Sequence, residues 1–219
     1  METRRALRLC VTVAFILGMG ALRSARSGEP SAVRTLPVTV HLLHFEGVPV
    51  LTTSITETEA RRVVASANRI WSGTGISIVV DAVRKEEAIH DMAALGWLTT
   101  SHEDEGPDAV LANLAPIRPA VHHDKSRVHI YFIGTLPCNG ITMVPDAVFV
   151  QDDPHLREVA GGGHDSRARV LAHELGHVFG LFHASEPDRL MSGGSTGVRV
   201  TESDIATVVR FVAGTAVHQ

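Results

Sequence analysis

Hydrophobic and polar residues alternate from Leu36 to Phe45, with Val38, Val40 and Leu42 set against Thr39 and His41. A period of two sends successive side chains to opposite faces, so this stretch is predicted to be a strand, with His41 and His44 on its surface. Thr56 and Glu59 then have the spacing of a capping box. Val63, Val64, Ala67, Ile70 and Trp71 share one helical face until Gly73 and Gly75 end the pattern. Ile76 to Val83 is the next strand, and strand, helix, strand in that order predicts a parallel, right-handed unit. Residues 84–126 carry Lys85-Glu86-Glu87, an acidic run from Ser101 to Glu105, and Pro107, Pro116 and Pro119. Two short helices joined by loops are expected there. Val128, Ile130 and Phe132, alternating with His129 and Tyr131, predict a third strand, and Ala147 to Gln151 a fourth. Asp165 or Ser166 caps a helix whose core positions are Val170, Leu171, Leu175 and Val178. Thr201 and Asp204 open a last helix, with Ile205, Val208, Val209 and Val212 on its inner face.

The first residues follow a different pattern. Arg4, Arg5 and Arg8 precede an apolar run from Leu9 to Leu22, and Ala25-Arg26-Ser27 offers a small-x-small cleavage site. Residues 1–27 therefore read as a secretory signal, and the run falls short of the roughly 20 apolar residues of a membrane anchor. This predicts a mature domain, 28–219, that is secreted, extracellular or periplasmic. Cleavage removes five of the 20 Lys and Arg and one of the 24 Asp and Glu, shifting the net charge from −4 to −8. An acidic surface argues against nucleic acid as a partner. Cys138 is then the one cysteine left, so no intrachain disulfide can form.

Chemistry concentrates between His173 and His183, in HELGHVFGLFH. His173 and His177 stand four apart, so on a helix they share a face and can place two imidazole nitrogens on one ion. Glu174 lies between them and can reach a water bound there. On a continued helix His183 would lie about 9 Å further along the axis than His177. Zinc to imidazole bonds measure only about 2.0–2.1 Å. The helix must therefore stop between the two, and Gly180 is the residue type that tolerates φ > 0 at a helix C-terminus. Three protein nitrogens leave one position open on the ion, the mark of a catalytic rather than a structural zinc.

HExxHxxGxxH followed by a methionine, here Met191 in Arg189-Leu190-Met191-Ser192, resembles the signature of the metzincin zinc endopeptidases. The loop from His183 to Met191, with Pro187 and the Leu190-Met191 pair, looks most like the matrixin branch. Ala184 departs from it, since matrixins carry Ser after the third histidine. The resemblance implies an α+β catalytic domain: a twisted, mostly parallel sheet with an antiparallel edge strand, an active-site helix, a Met-turn and a C-terminal helix. It further implies hydrolysis of peptide bonds by a zinc-activated water, with Glu174 as general base and one zinc on His173, His177 and His183. Met191 would form an apolar floor under the imidazoles. Ala147–Gln151 would be the edge strand along which a protein or peptide substrate is bound, and the chain would act as a monomer with no stable membrane anchor.

Other readings carry their own residues. A gluzincin-type site would take Glu202 as third ligand, and a zinc-bearing peptide-binding module would keep the metal without turnover. The acidic run at 101–105 could hold calcium, though solvated charge explains it equally. His122-His123-Asp124 is expected at the surface, and Cys138 as an inert thiol. Gly193, Gly194 and Gly197 would let the chain pass close to a substrate pocket.

Overall fold

A computed structural model describes residues 33–215 except 90, 100–106, 119–126, 160–162 and 194–196. The signal-like segment, the acidic run, His122-His123-Asp124 and Gly194 lie outside the described residues. Five strands form one sheet: β1 Arg34–His44, β2 Ile76–Glu87, β3 Val128–Ile133, β4 Gly140–Met143 and β5 Ala147–Gln151. Their order is β2-β1-β3-β5-β4. β1 runs parallel to β2 and β3, and β3 parallel to β5, while β4 alone is antiparallel, to β5. Five helices complete the order: α1 Glu57–Ile70, α2 Met92–Leu98, α3 Pro107–Leu114, α4 Ser166–Val178 and α5 Glu202–Thr215.

Local chemistry explains where the key helices begin and end. The Thr56 side chain accepts from the Glu59 N–H, and the Glu59 carboxylate accepts from the Thr56 N–H, so two otherwise orphaned donors at the start of α1 are satisfied. Asp165 caps α4 by accepting from the Arg167 N–H at 2.9 Å. At its other end α4 closes with the Leu181 N–H on the Gly176 carbonyl and the Gly180 N–H on the His177 carbonyl. That pair is the Schellman arrangement, and it needs a left-handed residue after the cap. Gly180 supplies it with φ +85°. A Cβ at Gly180 would meet nothing within 4 Å, so the cost of Gly180→Ala is conformational alone. We expect the substitution to destabilise the full chain by about 1–2 kcal/mol in urea titration; an unchanged midpoint would contradict the strained-turn account.

The inner strands β1, β3 and β5 are buried on both faces. On one side Val38, Val40, Leu42, Ile130, Phe132, Val148 and Val150 pack against α1 and α4 through Val63, Val64, Leu171 and Leu175. On the other, Leu43, Tyr131, Ile133 and Phe149 meet α2 through Ala94, Leu95 and Leu98, together with Leu114 and Ile117. This second layer corrects the expectation for His41. Rather than lying on the strand surface it is fully buried, with Nδ1 2.9 Å from Glu86 Oε2 and Nε2 2.8 Å from His129 Nδ1. Alternation marks two faces but does not reveal that both are covered. His44, at the strand end, is exposed as expected.

Three further expectations are corrected. Lys85-Glu86-Glu87 lies on β2, which runs four residues beyond Val83 because it stays paired with β1 as far as His44. Ala147–Gln151 is not the edge strand: it lies between β3 and β4. The antiparallel edge is Gly140–Met143, in what was expected to be a connection. On α5, Val209 is 44% exposed, and the inward positions are Asp204, Val208, Phe211 and Val212.

Candidate metal centre

The end of α4 and the turn after it bring three rings together. His173 Nε2 and His177 Nε2 each lie 3.2 Å from His183 Nε2, and the three nitrogens fall within 4.8 Å of one another. His173 is buried, His177 half-buried and His183 exposed. Among the described residues no other group of His, Cys, Asp and Glu is placed to hold a metal. Glu202 stands apart from it, exposed in the first turn of α5.

Backbone carbonyls decide which nitrogen each ring offers. His173 Nδ1 is 2.8 Å from the Leu190 carbonyl and His177 Nδ1 is 2.8 Å from the Leu181 carbonyl. A carbonyl can only accept, so both Nδ1 atoms carry the proton and both Nε2 atoms present lone pairs. One proton on His183 Nε2 cannot satisfy both neighbours. A cation among the three can. Tetrahedral zinc with bonds of about 2.0–2.1 Å sets its nitrogens about 3.3 Å apart, close to the 3.2 Å found here. The donor set and its spacing fit zinc.

Electrostatics agree with neutral ligands. Burial, joined by the neighbouring His177 and His183, lowers the His173 pKa to about 4 despite its bond to Leu190. His177 is lowered too, first by burial and then by His183. Glu174, next to His173 on α4, is 6% exposed, and burial raises it to about 7 although a hydrogen bond from Thr142 opposes the shift. The metal-free fold is thus most stable with this carboxyl protonated: the contribution is full below about 4.5 and is lost as pH rises through 7. Metal-free Glu174→Gln should therefore be more stable than metal-free wild type at pH 8, by up to about 3 kcal/mol. The gap should close by pH 4.5. Urea midpoints of the chelated proteins at the two pH values measure it, and a Gln variant no more stable at pH 8 would refute the buried-carboxylate reading.

The turn at Met191 packs against α4. Met191 is 1% exposed, and its sulfur packs against Gly176, where a Cβ would overlap Sδ. The Ala184 N–H on the Met191 carbonyl at 2.7 Å ties the residue after His183 to this turn. Leu190, just before the methionine, holds the His173 tautomer. Gly193 leaves room beside His183, whose Nδ1 would lie 3.6 Å from an added Cβ. Gly197 instead passes against the Asp188 backbone, where a Cβ would overlap the carbonyl.

Sequence reasoning missed four contributors. Leu181 and Leu190 act through backbone carbonyls, which carry no residue signature. Thr142 donates to Glu174 from β4, at 2.6 Å to Oε2. Gly140 lets β4 approach α4, since its Cβ would sit 2.5 Å from Val170 Cγ1 and 3.1 Å from Glu174 Cγ. Cys138 precedes that strand; burial and then the charge of Glu174 push its thiol up to about 12. Tyr131 lies in the core on the sheet's other face, stacked 4.7 Å from Phe149, so it takes no part in the centre.

The model of the M10 peptidase family, Matrixin, matches residues 47–210, an interval that runs from the turn after β1 into α5 and includes all three histidines. The chain belongs to the matrixin family. Its metzincin-like fold and its character as a zinc-dependent peptidase follow. Similar solved structures include archaemetzincin from Methanopyrus kandleri, 15% identical, covering 84% of this chain and 98% of that one at a TM-score of 0.49. Metalloproteinase-II from Bacteroides fragilis is 14% identical over 84% of this chain and 54% of its own, with a TM-score of 0.47. A zinc-dependent peptidase from Methanocorpusculum labreanum is 13% identical over 78% and 99%, with a TM-score of 0.39. No curated protein matches the matrixin chain.

Proposed function

We propose that this matrixin is a secreted endopeptidase in which His173, His177 and His183 hold one zinc ion and Glu174 is the general base. The observation that carries the proposal is the convergence of three imidazole Nε2 atoms, two of them with lone pairs fixed by backbone carbonyls, beside a buried carboxyl group on α4. Zinc, when bound, supplies a Lewis acid that polarises the scissile carbonyl and acidifies water. Glu174 takes the proton of the attacking water as its oxygen bonds to the carbonyl carbon. It gives that proton to the departing amine nitrogen when the carbon–nitrogen bond breaks. No tyrosine reaches the centre, so His173, His177 and His183 would hold the metal as neutral ligands and would leave its charge available to a developing oxyanion.

An extended protein or peptide substrate adds to the outer side of β4, the antiparallel edge of the sheet. Thr142 on that strand touches Glu174, which brings the substrate's strand next to the base. Incubating the zinc-loaded full chain with a mixed peptide library, with and without chelator, tests the proposal. Internal cuts that disappear on chelation are expected; release of terminal residues alone, or cuts that survive chelation, would overturn it.

Secretion is part of the proposal, supported by the arginines and apolar run before residue 27. Among the described residues no helix is long and apolar enough to cross a membrane. N-terminal sequencing of protein recovered outside the cytoplasm should begin near Gly28; a chain retained inside with Met1 intact would overturn this part.

A further inference from the structure

We propose that Thr142 is a positioning residue for the Glu174 carboxylate, holding one of its oxygens so that the other is presented to the water. The inference rests on the general-base reading of Glu174 and adds to it a residue on the substrate-side strand.

Thr142 Oγ1 lies 2.6 Å from Glu174 Oε2 and 2.8 Å from the Glu174 backbone carbonyl. A hydroxyl has one proton, so it can fully serve only one of these acceptors. The contact to Oε2 is the shorter of the two, which assigns the hydroxyl proton to it. Among the described residues Oε1 has no hydrogen-bond partner. The terminal torsion of a glutamate is broad and gives little orientation by itself. A donor fixed to one oxygen therefore settles which oxygen stays available. It also directs the transferred proton to Oε1, because Oε2 remains an acceptor of the Thr142 hydrogen bond both before and after transfer.

The contact depends on how closely β4 lies on α4. Thr142 pairs with Val148 in the antiparallel ladder, which places its side chain two residues along from Gly140 on the same face. At Gly140 a Cβ would sit 2.5 Å from Val170 Cγ1 and 3.0 Å from the Phe149 carbonyl. Glycine thus lets the edge strand approach the helix, and the hydroxyl of Thr142 spans what remains. The strand proposed to pair with substrate is in this way bonded directly to the base, so a shift of the strand would be felt at the carboxylate.

Zinc-loaded full-length Thr142→Val, Thr142→Ala and Thr142→Ser, beside Glu174→Gln, provide the test on one peptide cut by the wild type. We expect Val and Ala to lower kcat by about 10–100-fold with KM within about twofold, the size of effect seen for outer partners of a metal site. Ser should recover kcat to within about threefold, and zinc content should stay at one per chain. A crystal structure of the zinc-loaded Val variant should show the Glu174 carboxylate rotated from its wild-type orientation. Wild-type kcat in both hydroxyl-free variants, a Ser variant as impaired as Val, or an unmoved carboxylate would overturn the proposal. Should Glu174→Gln keep wild-type kcat, the general-base reading itself has failed; if Gln is inactive while Val and Ala are unimpaired, only the role of Thr142 has.

Discussion

Zinc-loaded Glu174→Gln is expected to keep one zinc per chain and to lose about 10²–10⁴-fold in kcat, the range that a positioned proton-transfer group contributes. Glutamine matches the shape of glutamate and can still accept from Thr142, so the contact with β4 is retained. It cannot take a proton from water. The loss should therefore fall on kcat with little change in KM, because the interaction removed acts in the transition state and not in peptide binding. A variant that cuts at more than a tenth of the wild-type rate would assign proton transfer to another group.

His183→Ala is the second large effect. The ring is the exposed member of the three, yet its Nε2 is the one 3.2 Å from both others. Without it two nitrogens remain on α4, and zinc affinity should fall by more than the roughly 100-fold that marks the upper end for outer partners. Glu202→Ala, at the start of α5, should bind zinc as the wild type does. Competition with a chromophoric chelator measures both. Equal loss in the two variants would bring back the glutamate as a ligand.

The histidines were legible because helical geometry constrains them. His173 and His177, four positions apart, fall on one face, and the distance to His183 required a helix stop, which the positive φ of Gly180 provides. Capping at Thr56 and Asp165 was legible for a similar reason, since each rests on contacts within three residues. What escaped depended on partners distant in sequence. β4 is four residues long, and in Gly140-Ile141-Thr142-Met143 only two side chains are strongly apolar. It becomes a strand by pairing with β5. Missing it also misassigned the edge to Ala147–Gln151, whose burial reflects an interior place in the sheet. His41 shows the same limit: its period marked a face, and the cover over that face comes from residues 50 positions and more downstream.

Stepwise return of zinc to the stripped full chain, with peptide cleavage followed at each addition, tests the central claim most directly. The account predicts no cleavage without metal, a linear rise up to one equivalent of zinc, and a plateau beyond it. Cleavage by the stripped protein, or a chain that binds its equivalent of zinc and cuts no peptide, would contradict it.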